Sequence, residues 1–305
     1  MVLASGKSLL QKARKGGYAV GAFNTSNLEI TRAIISAAVE MGAPVFLQLS
    51  GGALKYGGFE LAGLAIAFAK KVPVPVAVHL DHGPSFELAR ECVSFGFSSV
   101  MIDGSALPFD GNVSVTKRVV AVAHKKGVSV EAELGQLKGR EDDVFAAKHS
   151  YTDPSEASEF VKLTNVDSLA VAIGTSHGAY KFSGSPNIDL KRLSEIAAVV
   201  GIPLVLHGAS SVPGSLVAAA NKYGAKISAA AKGVPESQIR KAIKLGVCKV
   251  NEDTDIRLAF TAAVRRFMLG NPSVFGPREI LSPAIEAMKA VVMRRIMVLG
   301  SEGKG

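Results

Sequence analysis

VPVAVHL, residues 74–80, runs straight into Asp81-His82-Gly83. Apart from His79 the run is wholly apolar, so neither face is built for water. That is the pattern of a strand covered on both faces, as in a parallel sheet. Seven other short runs share it: Tyr18–Asn24, Pro44–Leu49, Ser98–Asp103, Val128–Glu133, Ser168–Gly174, Pro203–His207 and Val247–Asn251. Successive runs begin 24 to 44 residues apart, close to the ~30 that one strand and its returning helix need.

Helical spacing fills the gaps. It predicts helices over 28–41, 60–71, 85–95, 112–126, 155–164, 189–200, 235–245 and 255–269, with an appended helix over 277–300. In the first, Ile30, Ala33, Ile34, Ala37 and Ala38 line one face, and Ser26 or Asn27 stands where a cap belongs. Eight strands alternating with eight helices predict a (β/α)8 TIM barrel, one domain over 1–305. An open doubly wound sheet is the weaker alternative, because no GxGxxG follows the first strand. Segments 134–153 and 208–234 read as long βα loops.

The composition narrows the class. Of 305 residues 48% are hydrophobic and 20% charged, which excludes a disordered chain. Cys92 and Cys248 stand far apart, so neither a disulfide framework nor a cysteine metal site is available. The N-terminus holds no apolar stretch of signal-peptide length. The uncharged run Ile196–Asn221 is broken by Pro203, His207 and Pro213, so no membrane span is expected. The expectation is a soluble, cytoplasmic protein. The net charge of +9 is dispersed, and it is either a solvated surface or an attraction for anionic substrates. With no Trp and 6% aromatics, nucleic acid is not an expected partner.

Chemistry in such a barrel sits at the carboxyl ends of the strands. In chain order these ends carry Asn24; Gln48 and Ser50; Asp81 and His82; Asp103; Glu131 and Glu133; His177; His207; and Asn251 with Asp253. One polar strand end is a turn or a cap; polar groups at all eight are a site. His82, His177 and His207 would converge from the third, sixth and seventh strands, and three imidazoles with one open position make a catalytic zinc arrangement. His79, two residues below the rim, reads as a packed or supporting group, while helical His124 and loop His149 read as solvated. Gly178 and Gly208 follow two of the histidines. Gly208-Ala209-Ser210-Ser211 and Asn251-Glu252-Asp253-Thr254 end the last two strands, where barrels often bind phosphate, and Lys181 would add charge. Lysine Schiff-base chemistry is disfavoured: the sixth strand has no lysine, and Lys249 reads as pointing outward.

GAFNTSNLE (21–29), VAVHLDHG (76–83), SVMIDGSALPFD (99–110), VSVEAELG (128–135), GTSHGAYK (174–181), PLVLHGAS (203–210) and KVNEDTD (249–255) resemble, in order, the class II metal-dependent fructose-bisphosphate aldolases. The likeness is to the shorter bacterial branch, which also includes tagatose-bisphosphate aldolases. It implies Zn2+ on His82, His177 and His207, with Asp103 and Glu133 holding the metal in an alternative position. It implies that Asp81 moves the hydroxyl proton at the carbon whose bond breaks. It implies that Glu141, on a loop, exchanges the proton of dihydroxyacetone phosphate, and that Asn251 stands beside the enediolate. Gly178, Gly208, Ser210, Asp253 and Thr254 match the phosphate set, assisted in the family by a monovalent cation. Asn24, Ser50, Lys181 and Ala209 complete the substrate rim expected here.

The expected function is reversible cleavage of fructose 1,6-bisphosphate to dihydroxyacetone phosphate and glyceraldehyde 3-phosphate. The tagatose epimer is the close alternative, and a barrel zinc hydrolase using Asp81 is a remoter one. Three-histidine sites also accept Co2+ and Fe2+. A homodimer or homotetramer is expected from the family. The apolar last helix (Ala284, Ile285, Ala287, Met288, Val291, Val292, Ile296) serves either a partner or the barrel. Two positions depart from many relatives. Lys138-Gly139-Arg140 stands where two glycines precede the loop carboxylate, and Ala209 stands where a second glycine is common.

Overall fold

The computed structural model describes residues 3–137, 139–141, 144–146, 150–176, 178, 187–228 and 231–305, with the main chain alone over 139–141 and 144–146. All eight apolar runs become strands: β1 (Val20–Asn24), β2 (Val45–Ser50), β3 (Val76–Gly83), β4 (Ser99–Ile102), β5 (Ser129–Leu134), β8 (Ser168–Val171), β9 (Leu204–Leu206) and β10 (Val247–Glu252). Two short strands, β6 (Gly139–Glu141) and β7 (Val144–Ala146), form an antiparallel hairpin in the segment after β5. The eight close a TIM barrel in the order β1, β2, β3, β4, β5, β8, β9, β10, with every neighbouring pair parallel.

Strand alternation divides the core. Phe23, Leu47, Leu49, Val78, Leu80, Val100, Ile102, Val130, Leu169 and Leu206 pack against the helices. The other set faces the barrel axis, where the register places Asn24 beside Gln48, Gln48 beside His79, Ser50 beside Asp81, and Asn251 beside Ala22. The inner face is apolar at the amino ends of β1, β2 and β3, where Val20, Ala22, Phe46 and Ala77 cluster. It carries Ser99, Ser129 and Ser168 at the amino ends of β4, β5 and β8, and is polar at the carboxyl ends.

Two helices exceed the sequence reading. Gly6–Gly16 closes the amino-terminal mouth: Leu9, Leu10 and Ala13 cluster with Tyr18, Val20, Ala22, Phe46, Ala77 and Cys248. Its remaining surface is polar and mostly basic, and Leu9, Leu10 and Ala13 stand at the helical spacing that could have announced it. Gly214–Lys222 lies within the stretch read as a loop and buries Val217 and Ala220. The helix after β2 also starts early, at Gly51, and breaks at Gly58 (φ 63°, ψ −174°). Asn27 rather than Ser26 caps Leu28–Glu40, accepting from the Ile30 N–H.

The last helix, Pro277–Leu299, packs on Leu28–Glu40 and Thr254–Gly270 and buries Ala284, Met288, Val292 and Ile296 completely. Its apolar face is thus used within the chain. His124 is not simply solvated; its Nε2 lies 2.8 Å from Asp167 Oδ2, which also accepts from the Val130 N–H. Cys92 and Cys248 are free and buried, and burial pushes their thiols up to about 12 and about 11. Among the described residues no helix is long and apolar enough to cross a membrane.

Candidate active site at the carboxyl ends of the strands

The polar rim residues form one connected network. Asp81, fully buried, accepts from Asn24 Nδ2 at 2.7 Å on one oxygen and from Asn251 Nδ2 at 2.9 Å on the other. Gln48 Nε2 donates to Asn24 Oδ1 at 2.9 Å, and Lys249 Nζ donates to Asn251 Oδ1 at 2.9 Å. Both amides therefore have their acceptor ends occupied and can present only N–H groups to Asp81. Among the described residues the carboxylate is thus fixed by two amides rather than by an ion pair.

Lys249 extends the network to the histidines. Its Nζ lies 3.2 and 3.0 Å from the two oxygens of Glu131, and Glu131 Oε1 lies 2.8 Å from His207 Nε2. The lysine does not point outward as read from the sequence. Asn251 faces the axis, so Lys249, two residues earlier on the same strand, faces it too. Burial pushes the Glu131 carboxyl up, but Lys249 and the His207 bond outweigh it and hold it well below the ordinary carboxylate range. His79, also buried, bonds Ser99 Oγ at 2.7 Å, and burial and Lys249 keep its ring well below the usual imidazole range.

His82 reaches the site through a local irregularity. It has φ 46°, left-handed for a side-chain-bearing residue, and the β3–β4 register shifts between Leu80 and Gly83. The bulge re-aims His82 so that it and Asp81, adjacent in sequence, both serve the rim. A Cβ on Gly83 would lie 2.3 Å from the Met101 carbonyl oxygen, so this approach of β3 to β4 requires glycine. His82 Nδ1 lies 3.0 Å from Asp103 Oδ2, and Asp103 Oδ1 accepts from the N–H and hydroxyl of Ser105. Burial raises the Asp103 carboxyl, but these bonds prevail and hold it far below the ordinary range.

The histidine pair tests whether a metal fits. The Glu131 carboxylate takes the N–H of His207 Nε2, and the Asp103 carboxylate takes that of His82 Nδ1. The remaining nitrogens, His207 Nδ1 and His82 Nε2, face each other at 2.8 Å. Two lone pairs at that distance need a proton or a cation between them. Glu133 Oε2 is 3.3 Å from His207 Nδ1 and 3.8 Å from His82 Nδ1, and it is buried with no hydrogen-bond partner among the described residues. Burial and His82 disfavour a charge on His207, yet the bond to Glu131 and the Glu133 carboxylate close by raise its pKa to about 9. Candidate ligand atoms of Asp81, His82 and His207 lie within 4.8 Å of one another, as do those of His82, Asp103 and Glu133. The donor set of imidazole and carboxylate, with each ring oriented by a second carboxylate, fits a divalent cation.

Residues 4–304 match the family described as fructose-bisphosphate aldolase class-II. The chain belongs to that family. A fructose-bisphosphate aldolase of Thermus caldophilus is 52% identical over 99% of this chain and 100% of its own. One from Giardia intestinalis is 48% identical over 99% and 94%. Among solved structures, the YdjI aldolase of Escherichia coli K12 superposes with TM-score 0.80 and 30% identity, covering 99% of both chains. As a class II aldolase the chain is a lyase of a generally metal-dependent family that acts on sugar phosphates.

The other expected aldolase positions fall as follows. Gly208, at the end of β9, has φ 59°, and a Cβ there would lie 2.5 Å from the Ser176 carbonyl oxygen. Ala209 is fully buried in the core with no positive φ, so the position makes no use of glycine's freedom. Ser210 Oγ accepts from the Asp253 N–H at 3.3 Å, which joins the segments after β9 and β10. Thr254 starts the helix Thr254–Gly270, whose N-terminus therefore opens on this rim. Asn24, Ser50 and Asp253 also line a cleft of about 150 Å3 with Tyr56 and Arg257. Gly178 is exposed, with φ 82°. His177, Lys181, Lys138 and His149 lie outside the described residues, and of Glu141 the main chain alone is described, on β6. The sequence reading placed Glu131 on the rim without a role and missed Lys249. The period of two along β5 and β10 was the signal for both.

Proposed function

We propose that the chain cleaves fructose 1,6-bisphosphate reversibly to dihydroxyacetone phosphate and glyceraldehyde 3-phosphate, using zinc held by His82, His177 and His207. Asp103 and Glu133 would hold the metal in an alternative position. The observation that carries the reading is the facing pair of imidazole nitrogens, 2.8 Å apart, beside a carboxylate fixed by two amides. When bound, the metal supplies Lewis-acid polarisation of the substrate ketone.

The chain's own residues do the rest. Asp81 takes the proton of the C4 hydroxyl as the C3–C4 bond breaks and the C4 carbonyl forms. The electron pair of that bond stays on the dihydroxyacetone phosphate fragment, beside the Asn251 amide. Glu141 returns a proton to C3 of that fragment, and the steps reverse for condensation. Gly178, Gly208, Ser210, Asp253 and Thr254 hold a phosphate, with Lys181 adding charge. A monovalent cation at these segments, a cytoplasmic setting, one domain over 1–305 and a homodimer or homotetramer belong to the same reading.

The test is cleavage of fructose 1,6-bisphosphate by the zinc-loaded protein, followed as triose phosphate, with tagatose 1,6-bisphosphate in parallel. The expected result is a higher kcat/KM for the fructose epimer. A preference for tagatose would replace the substrate and keep the chemistry. Absence of triose phosphate from either would overturn the reading.

A further inference from the structure

The C-terminal helix sends one cation to the back of the phosphate rim. Arg295, on Pro277–Leu299, is 2% exposed, and its guanidinium meets two partners. One amino group pairs with Glu252, the last residue of β10, which is itself 1% exposed. The other donates to the hydroxyl of Ser211, in the segment after β9. Glu252 and Ser211 each sit one residue from a group expected to touch substrate. Asn251 and Asp253 flank Glu252, and Ser210 precedes Ser211.

We infer that Arg295 is a positioning residue that sets the spacing between the two phosphate-binding segments. The inference rests on the aldolase reading above. Along β10, Asn251 faces the barrel axis and Glu252 faces outward to the helix, so fixing the Glu252 carboxylate fixes the turn that carries Asn251 and Asp253. On the other side, the Ser211 and Val212 N–H groups donate to the two oxygens of Asp255 at 3.0 and 2.8 Å. Val212 is held there at φ 44°, a conformation β-branched residues avoid, so this segment does not keep its shape on local preference. Arg295 adds a third fixed point from an element that belongs to neither segment. The helix is anchored in turn: the Ala19 N–H donates to the Leu299 carbonyl at 3.0 Å, and Arg240 donates to the Val298 carbonyl at 3.2 Å.

Stability alone is a poor reason for the pair. A buried ion pair is often matched or bettered by apolar residues of similar size, whereas a planar fork can hold two partners at a set separation. The test uses that difference. The double variant Glu252→Leu with Arg295→Met removes both charges of the pair together, and its fold and zinc content are expected to match those of the parent. Inorganic phosphate, titrated calorimetrically into zinc-loaded protein, is expected to bind about ten-fold more weakly, because small displacements of a fixed site carry penalties of that order or more. KM for fructose 1,6-bisphosphate is expected to rise in step, with kcat changed less than about two-fold, a split that a merely structural role would not produce. Ser211→Ala, which removes one arm and buries no charge, provides a second measurement should the double variant fail to fold, and is expected to weaken phosphate binding in the same direction. Parental phosphate affinity and KM in the folded variants would overturn the inference. If the parent cleaves no ketose bisphosphate, the aldolase reading fails, while the phosphate titrations still decide whether Arg295 sets this site.

Discussion

His207→Ala is expected to strip the protein of most of its tightly bound divalent metal and to lower kcat for fructose 1,6-bisphosphate cleavage at least about a thousand-fold. The size follows from what the metal does: polarising a carbonyl contributes several kcal/mol, and each ~1.4 kcal/mol is a factor of ten. His207 is the residue on which the site converges. Its Nε2 is held by Glu131, and its Nδ1 faces His82 Nε2 at 2.8 Å. Losing the ring does not leave Glu131 as an unpaired buried charge, because Lys249 still lies within 3.2 Å of both its oxygens. The variant is therefore expected to fold, with a cavity as its main structural cost. Metal content by elemental analysis and kcat at saturating substrate check it. A variant that retained stoichiometric zinc and parental kcat would remove His207 from the ligand set.

Asp81→Asn is expected to lower kcat by about a hundred- to ten-thousand-fold, the usual span for a lost general acid–base group, with zinc content unchanged. Cleavage should fall while exchange of the C3 proton of dihydroxyacetone phosphate with solvent persists, because the exchange is assigned to Glu141 and not to Asp81. The substitution also has a structural cost that can be foreseen. Asn24 and Asn251 both present N–H groups to the carboxylate, and their oxygens are already taken by Gln48 and Lys249. An amide at position 81 has one oxygen to offer, so its own NH2 must face a donor. The expected loss of stability is about 1–3 kcal/mol, the range for an unsatisfied buried polar group, measured by denaturant titration. Equal loss of cleavage and of proton exchange would place Asp81 in another role.

The barrel was legible because its strands are short, apolar and regularly spaced, and parallel strands covered by helices must look that way. The rim was legible because polar residues at all eight strand ends have no local explanation. Contacts between residues distant in sequence were not. Nothing near Glu131 announces Lys249, and nothing near Glu252 announces Arg295; each pair exists only once the barrel is closed. Lys249 could still have been placed: alternation along β10 puts it on the same face as Asn251. Each strand of the hairpin β6–β7 is only three residues long, and the helix Gly214–Lys222 buries only Val217 and Ala220, too little to show a period. Leu9, Leu10 and Ala13 of Gly6–Gly16 do stand at helical spacing, so that helix was legible and missed. The bulge that turns His82 inward has one trace in the sequence, the glycine that follows it.

Metal dependence is the claim on which the rest stands. Cleavage of fructose 1,6-bisphosphate should be followed before chelation, after exhaustive chelation, and after zinc is returned in stoichiometric amount. The expected result is loss of at least about 99% of activity on chelation and recovery with zinc, as the magnitude of Lewis-acid stabilisation requires. Full activity in metal-free protein would contradict the reading of the facing histidines and return attention to Lys249.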